Sequence, residues 1–423
     1  MSKSIIKQVR GRRIWDSRGR PTVEAEITLA DGSVGFGLAP AGASRGSREA
    51  VDLRDSGNKL GGFDVAGAVT NVNGEIAQAL IGMDAADQAA LDARLVALDG
   101  TPTKSRLGGN ATIAASLAAL HAAAACAHQP LWQYVAQGRA VTMPLPEIQI
   151  FGGGAHAGRR VDIQDFMVMA LGAKSFDEAL EWTAEVYLAA GSLMKAAGKQ
   201  AGVADEGGYW PLFAANEEAL EMLTRAIDTA GFRHEQVAIS LDIAASEFGA
   251  CGHYKLGLES RELDTAGMID MLGKWIASYP IVSVEDPLAE DDEAGLIEFT
   301  RRFGKQVQII GDDYLVTNAD RVKHAAAAGA CNCALIKFNQ AGTVTETKAA
   351  LDAARAAGWN AIVSARSGET EDTTITHLAV GWNAGQLKVG SFSRSERMAK
   401  WNEGLRIEEK AKAPFAGRKA LFQ

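Results

Sequence analysis

The pattern of apolar and polar positions changes character near residue 140. Over residues 5–51, β-prone runs such as VEAEITLA and SVGFGLAP alternate with glycine-containing turns, which predicts an antiparallel meander. Alanine-rich segments near 64–98 and 110–127 then show helical patterning. We therefore predict an N-terminal α+β domain that covers residues 1–140.

Beyond residue 140 the chain repeats one unit, which is a short apolar run, a polar tip and an amphipathic helix. Strands that alternate with helices pair in parallel through right-handed crossovers, so the fold class is predicted to be α/β. Seven or eight such units favour a modified (β/α)8 TIM-type barrel over residues 141–423, rather than a doubly wound sheet. Seven strands are recognisable, at 163–171, 237–244, 281–288, 307–316, 333–340, 360–368 and 386–391.

Composition excludes several classes of protein. Of the 423 residues, 47% are hydrophobic and 22% are charged, which is typical of a globular protein. The net charge of −9, without a long basic run, argues against nucleic-acid and membrane-surface binding. The first residues carry no apolar signal segment, and the apolar stretch Ala111–Ala127 contains His121, so a cytoplasmic protein without a membrane span is expected. Four scattered cysteines are too few for a disulfide framework or a four-thiolate zinc site.

Charged residues recur where the predicted strands end. In a β/α barrel the carboxyl ends of the strands form one mouth, and that mouth holds the active site. A single such residue is readily explained as a solvated loop charge, but six strands in succession are not. The residues concerned are Asp242, Glu285 with Asp286, Asp312 with Asp313, Lys337, Arg366 and Lys388.

The residue types at this mouth indicate a metal-assisted reaction. Asp242, Glu285 and Asp312 are hard oxygen ligands from three successive predicted strands, which favours Mg²⁺ over a soft metal. Lys337 and Lys388 face these acids. Burial and neighbouring cations can lower the pKa of a lysine until it acts as a base near neutral pH, although plain ion pairing with the acids is the alternative.

Arg366 and Ser367 supply a guanidinium and a hydroxyl suited to a tetrahedral anion. Together with the metal and the lysines, they describe abstraction of a proton α to a carboxylate, on a substrate that carries a second anionic group. The resulting dianionic enediolate needs the stabilisation that a metal and an ammonium supply. Two glycine-rich loops, 42–46 and 152–157, are predicted to be a lid and a mobile loop carrying His156.

An ordered series of motifs between Trp15 and Glu409 resembles the enolase (phosphopyruvate hydratase) family. A chance match of so many ordered motifs is negligible. The motifs are DSRGRPTVE (16–24), GASRG (42–46), DEGG (205–208), LDIAASEF (241–248), VEDPL (284–288), GDD (311–313), LIKFNQAGT (335–343), SARSGETEDTT (364–374) and GQLKVGSFSRSER (385–397).

This resemblance implies a Mg²⁺-dependent lyase that interconverts 2-phosphoglycerate and phosphoenolpyruvate. By position it implies that Asp242, Glu285 and Asp312 are ligands of a first Mg²⁺. It implies that Lys337 is the base that takes the α-proton, and that Lys388 holds the substrate carboxylate.

The resemblance also implies roles for loop residues. Glu206 would assist departure of the β-hydroxyl, Arg366 with Ser367 would bind the phosphoryl group, and His156 would close over the substrate. Ser44 would join a second Mg²⁺ that arrives with the substrate. A homodimer or higher homo-oligomer is implied as well, with the DSRG (16–19) and LRIEE (405–409) segments at or near the subunit contact.

Several positions depart from the family pattern, and they cluster at the site. Asp165 stands where the family has glutamate, and Ala365 stands where it has histidine. Ala41 replaces a serine and Arg45 a threonine, which is expected to add room and a positive charge near the reacting group. The change from Glu to Asp draws a carboxylate back by about 1.5 Å, and a misplacement of about 1 Å can cost on the order of 10²-fold in rate.

Three hypotheses about function therefore stay open. The first is a working phosphopyruvate hydratase. The second is a paralogue that acts on a related phosphono- or phospho-carboxylate in a phosphonate or phosphinate pathway, with Asp165 and Ala365 as its altered catalytic and substrate-binding positions. The third is a non-catalytic binding or scaffold protein, which the intact acids and Lys337 disfavour.

Overall fold

A computed structural model describes residues 2–421 of the chain. Its N-terminal part is an antiparallel meander of three strands, packed against helices. The strands are β1 (Ile6–Trp15), β2 (Pro21–Leu29) and β3 (Val34–Leu38), in that order across the sheet. The helices are α1 (Ala66–Asn71), α2 (Ala77–Leu80), α3 (Gln88–Asp99), α4 (Gly109–Cys126) and α5 (Leu131–Ala136).

The sheet packs directly on α4. A Cβ atom added to Gly37 of β3 would lie 2.1 Å from the carbonyl oxygen of Ala114, so the strand reaches the helix backbone as closely as only glycine allows. By length and composition alone, α4 is the one helix among the described residues that could cross a membrane, yet 83% of it is buried inside the fold. It is therefore the central core helix of the N-terminal part.

The remainder of the chain forms a closed β/α barrel surrounded by helices. The first half comprises β4 (Leu145–Gly152), β5 (Asp165–Met169), α6 (Phe176–Ala197), β6 (Gln200–Val203), β7 (Tyr209–Pro211), α7 (Asn216–Thr229), β8 (Ala238–Asp242), β9 (Gly249–Ala250), β10 (His253–Leu256), β11 (Arg261–Asp264) and α8 (Thr265–Ser278). The second half comprises β12 (Ile281–Glu285), α9 (Glu293–Phe303), β13 (Gln308–Gly311), α10 (Ala319–Ala328), β14 (Cys333–Ile336), α11 (Phe338–Ala341), α12 (Val344–Ala356), β15 (Asn360–Ser364), α13 (Thr374–Gly381), β16 (Gly385–Ser391) and α14 (Ser395–Ala411).

The barrel strands follow the order β4, β5, β8, β12, β13, β14, β15 and β16, and pairing of β16 with β4 closes the ring. This confirms the predicted α/β barrel behind an N-terminal α+β part. We propose that the division between the two domains lies near residue 140, with residues 1–140 and 141–423 on either side.

Two features of the barrel differ from the sequence prediction. β4 is a barrel strand that is not among the seven strands predicted from the sequence. The expectation of parallel pairing throughout was wrong for β5, which runs antiparallel to both β4 and β8. The reason is the connection: the loop between β4 and β5 holds one turn of 3-10 helix and no α-helix that could cross over the sheet, so β5 returns antiparallel.

The N-terminal part reaches the mouth of the barrel through the segment after β3. Ala41 and Gly368 exchange two backbone hydrogen bonds, of 3.0 and 2.9 Å. This bridge joins the lid segment to the loop after β15 and places Ser44 beside the carboxyl ends of the barrel strands.

Candidate active site

Three carboxylates surround the ammonium of Lys388 at the mouth of the barrel. Its Nζ donates to Asp242 Oδ2 at 2.9 Å and to Glu285 Oε2 at 2.7 Å, and it lies 3.8 Å from Asp165 Oδ2. Asp242 and Glu285 end the neighbouring parallel strands β8 and β12, where they are register partners. Asp165 begins β5, and the antiparallel direction of that strand brings it opposite Asp242.

This cluster is buried, and the ammonium and the carboxylates shift one another's pKa values. Burial by itself lowers the pKa of Lys388, but Asp242 and Glu285 outweigh it and raise that pKa well above its ordinary value. Burial and the neighbouring Asp242 raise the pKa of Glu285. Lys388 is therefore a fixed positive charge, able to hold a substrate carboxylate in place of one of the acids.

Lys337 forms the second lysine–acid pair. Its Nζ donates to Asp312 Oδ2 at 2.5 Å, and Gln340 Nε2 donates to Asp312 Oδ1 at 2.8 Å. The expectation of a lowered lysine pKa is wrong for this arrangement. Burial does favour the neutral amine, but the charge of Asp312 outweighs it, so the pKa of Lys337 is raised.

The acidic residues at the mouth fit a divalent cation, although the acids that lie close together include others besides the three predicted ligands. Among residues 2–421, two sets of three side chains have ligand atoms that all lie within 4.8 Å of one another, His156/Asp165/Glu206 and Asp286/Asp312/Asp313. The predicted ligands Asp242 and Glu285 converge on Lys388 instead, and Asp312 pairs with Lys337. Glu285 Oε1 is nevertheless buried without a hydrogen-bond partner. An unpartnered carboxylate oxygen between other carboxylates is suited to a hard cation such as Mg²⁺.

Asp286 has a structural part in the second of these sets. The two carboxylate oxygens of Asp286 accept the backbone N–H groups of Asp312 and Asp313, at 2.9 and 2.8 Å. Burial and the charge of Asp312 raise the pKa of Asp286 to about 8. Asp286 therefore fixes the end of β13, from which Asp312 projects.

A histidine links Asp165, which belongs to the acids around Lys388, to a further acid, Glu206. His156 Nδ1 lies 3.0 Å from Asp165 Oδ1, and Nε2 lies 3.8 Å from Glu206 Oε1. Burial by itself lowers the pKa of His156, but Asp165 and then Glu206 outweigh it and raise that pKa to about 9. Burial raises and His156 lowers the pKa of Asp165, with a net fall to about 2. His156 is thus cationic at neutral pH and bonded to an ionised Asp165.

Arg366 is held by a residue that the sequence analysis did not identify. Its Nη1 donates to Glu49 Oε2 at 2.8 Å, and its Nη2 donates to the carbonyl of Ser44 at 2.9 Å. Ser367 Oγ accepts the backbone N–H of Ala43 at 2.8 Å. The anion-binding pair predicted from sequence therefore also ties the lid segment to the barrel.

One cavity brings most of the predicted site residues together. Ala365 presents only a methyl group to it, at the position where the family has histidine. Arg45 differs from expectation: its half-exposed side chain lies 3.9 Å from Asp52 and is not part of the cavity lining. The lining contains Ser44, His156, Asp165, Glu206, Asp242, Lys337, Ala365, Arg366, Ser367 and Lys388, whereas Glu285 and Asp312 lie behind the two lysines.

Four polar residues of the site were not predicted from the sequence. Gln340 bonds to Asp312 and Glu49 to Arg366, as described above. Gln164 Nε2 donates to Asp242 Oδ2 at 3.1 Å, and Gln149 Nε2 donates to Asp165 Oδ1. Two of them had a local signal, because Gln164 directly precedes the acid at the start of β5 and Gln340 lies in the motif LIKFNQAGT.

The fold and this mouth define a β/α-barrel enzyme whose buried acids and lysines are arranged to act on a small carboxylate. The comparison with known families agrees. The family description "Enolase, N-terminal domain" matches residues 6–135, and "Enolase, C-terminal TIM barrel domain" matches residues 140–423. The chain is also similar to Enolase 1 of Desulfitobacterium hafniense (strain Y51), with 48% identity over 408 residues, which are 96% of this chain and 93% of that protein.

The chain therefore belongs to the enolase family. This confirms the resemblance drawn from the ordered motifs. It also makes the protein a member of a family of carbon–oxygen lyases.

Proposed function

We propose that the protein is a Mg²⁺-dependent phosphopyruvate hydratase that interconverts 2-phosphoglycerate and phosphoenolpyruvate in glycolysis. The observation that carries this proposal is the pair of buried ammonium groups, Lys337 and Lys388, which share one mouth with the acids. The ammonium of Lys388 suits the substrate carboxylate, and Lys337, as the neutral amine, suits the proton on the carbon next to it. Membership of the enolase family supports the same reaction.

Each residue has a defined part in this proposal. The neutral amine of Lys337 takes the proton from C2, and the electron pair of the broken C–H bond passes to the carboxylate to give an enediolate. Lys388 holds that carboxylate. The electron pair of the enediolate then forms the C2–C3 double bond. The hydroxyl group leaves C3 with the electron pair of the C3–O bond, and Glu206 supplies the proton that makes it water. His156 and Asp165 orient Glu206, and Arg366 with Ser367 binds the phosphoryl group.

Asp242, Glu285 and Asp312 would hold the first Mg²⁺, and Ser44 would contribute to a second that comes with substrate. When bound, the metal would supply positive charge for the dianionic enediolate and offset the carboxylate charge that raises the pKa of Lys337. Asp242 and Glu285 would then exchange part of their contact with Lys388 for contact with the cation.

A steady-state assay tests the proposal directly. Purified protein with 2-phosphoglycerate and Mg²⁺ should form phosphoenolpyruvate, followed by its absorbance. Lys337→Ala or a chelator should abolish turnover, whereas Lys323→Ala, at an exposed surface lysine, should not. Absence of turnover by the wild-type protein at high enzyme concentration would reject phosphopyruvate hydratase activity.

A second candidate is favoured by one specific observation. Ala365 lines the cavity with a methyl group alone, and Asp165 is one methylene shorter than the family's glutamate. Both changes favour a related phosphono- or phospho-carboxylate substrate. An Ala365→His variant with much higher turnover of 2-phosphoglycerate would support this candidate. Wild-type turnover at ordinary enolase efficiency would reject it.

The cellular setting belongs to the same proposal. We infer a cytoplasmic homo-oligomer, at least a dimer, with residues 16–19 and 405–409 near the contact between subunits. Membership of the enolase family supports an oligomer of this kind. Light scattering on the purified protein measures its mass, and a mass of 44.6 kDa, that of one chain, would reject the dimer.

A further inference from the structure

Gln149 lies in the interior of the barrel, where both ends of its amide are used. It projects from β4, and its side chain is completely buried. Nε2 donates to Asp165 Oδ1, and Oε1 accepts the backbone N–H of Gly208 at 2.8 Å. One side chain therefore joins the acid at the start of β5 to the loop that carries Glu206.

The two groups that Gln149 holds are those that flank His156. Asp165 Oδ1 accepts from Gln149 and also faces His156 Nδ1 at 3.0 Å. Gly208 closes the turn around Glu206, because its carbonyl accepts the N–H of Ala204 at 2.8 Å. Any movement of the Gln149 amide would therefore move both acids relative to the histidine between them.

The fit between Gln149 and the Glu206 loop is close. A Cβ atom added to Gly208 would lie 2.4 Å from Gln149 Oε1, and one added to Gly152 would lie 3.3 Å from Gln149 Nε2. The backbone approaches the amide on both sides, so the glutamine has little freedom to shift. Its length sets the distance between Asp165 and the loop.

We propose that Gln149 is a positioning residue whose length complements that of Asp165. Asp165 is shorter by one methylene than the glutamate at this position in the family, a difference of about 1.5 Å. The glutamine reaches the shorter carboxylate and holds it against His156 and the Glu206 loop. This inference rests on the proposed function, because Glu206 is assigned there to the loss of water and Asp165 to the orientation of Glu206.

The test moves one methylene from the amide to the carboxylate. Gln149→Asn should lower kcat on the order of 10²-fold, the effect of a misplacement of about 1 Å, and should change KM less than threefold. Asp165→Glu alone should also lower kcat, because the longer carboxylate is crowded by the glutamine. The Gln149→Asn/Asp165→Glu double variant should regain at least tenfold over Gln149→Asn. Additive losses, or wild-type kcat in Gln149→Asn, would overturn the proposal.

A matched control separates positioning from loss of packing. Gln308 is likewise buried in the barrel and donates to Ser283 and Gln386, at 3.1 and 3.0 Å. Gln308→Asn should lower the urea midpoint without a change in kcat beyond threefold. If Gln308→Asn lowers kcat as much as Gln149→Asn does, the role of Gln149 is structural only.

A crystal structure of Gln149→Asn keeps the test independent of the substrate. We expect the Asp165 carboxylate and the turn at Glu206 to shift relative to His156. Unchanged positions would overturn the proposal even if 2-phosphoglycerate is not the substrate. An active wild-type protein whose kcat is unchanged by the Gln149→Asn substitution would reject this inference and leave the proposed function standing. An inactive wild-type protein would reject the proposed function.

Discussion

Substitution of Lys388 by methionine removes the cation that balances the acids of the site. The ammonium contacts Asp242 at 2.9 Å and Glu285 at 2.7 Å, and all three groups are buried. With an effective dielectric constant of about 20, each contact is worth about 6 kcal/mol before desolvation is counted. Since removal of one partner from a buried pair costs about 3–5 kcal/mol in practice, we expect Lys388→Met to lose that much unfolding free energy in metal-free buffer.

Urea denaturation followed by tryptophan fluorescence measures this loss, with Lys323→Met as the matched control. Lys323 pairs with Asp320 at 3.0 Å on the surface, where such a pair contributes about 0–1 kcal/mol. Mg²⁺ should restore part of the stability of Lys388→Met, because a ligand at 100 times its Kd adds about 2.7 kcal/mol. If Lys388→Met is as stable as Lys323→Met in the presence of a chelator, Lys388 does not balance the buried acids.

Three further predictions concern pH, packing and the lid. The pKa of His156 rises from 6.5 to about 9 on folding, so its contribution of about 3 kcal/mol to the free energy of unfolding is complete below pH 6.5 and is lost as the pH rises through about 9. The difference in urea midpoint between wild type and His156→Gln should therefore shrink across this window. A difference that grows with pH would contradict the assignment. Gly37→Ala should lower the free energy of unfolding by about 1–3 kcal/mol or more through overpacking, as measured by urea denaturation. Gly202→Ala, with no atom within 4 Å of the added Cβ, should change that free energy little. Equal effects of the two substitutions would disprove close packing of β3 on α4. Glu49→Ala should leave the buried Arg366 without the carboxylate that it pairs with. Inorganic phosphate should therefore raise the melting temperature of this variant more than that of wild type. An equal rise in both proteins would argue against Arg366 as an anion site.

The barrel itself was predictable because a unit of apolar run, polar tip and amphipathic helix recurs seven or eight times along the chain. The strand that escaped prediction, β4, is buried along its whole length but contains Glu147 and Gln149. Polar residues inside the barrel break the apolar run that identifies a buried strand. The direction of β5 escaped for another reason, since a short apolar run reads alike in either direction and only the connection decides it.

The sequence predicts most of the residues that line the cavity, but not the pairings among them. Glu49 and Arg366 are 317 positions apart in the chain, and no local pattern joins them. The raised pKa of Lys337 depends on a contact of 2.5 Å with Asp312, which strand order alone does not reveal. Residue types at strand ends thus indicate the chemistry, but their charge states require the distances.

Exchange of the C2 proton of 2-phosphoglycerate with solvent tests the central claim most directly, because it reports proton abstraction before water is lost. In deuterated buffer with Mg²⁺, the wild-type protein should incorporate deuterium at C2, as seen by NMR, and Lys337→Ala should not. Absence of exchange by the wild-type protein, or exchange that persists in Lys337→Ala, would contradict the assignment of Lys337 as the base at the mouth of this barrel.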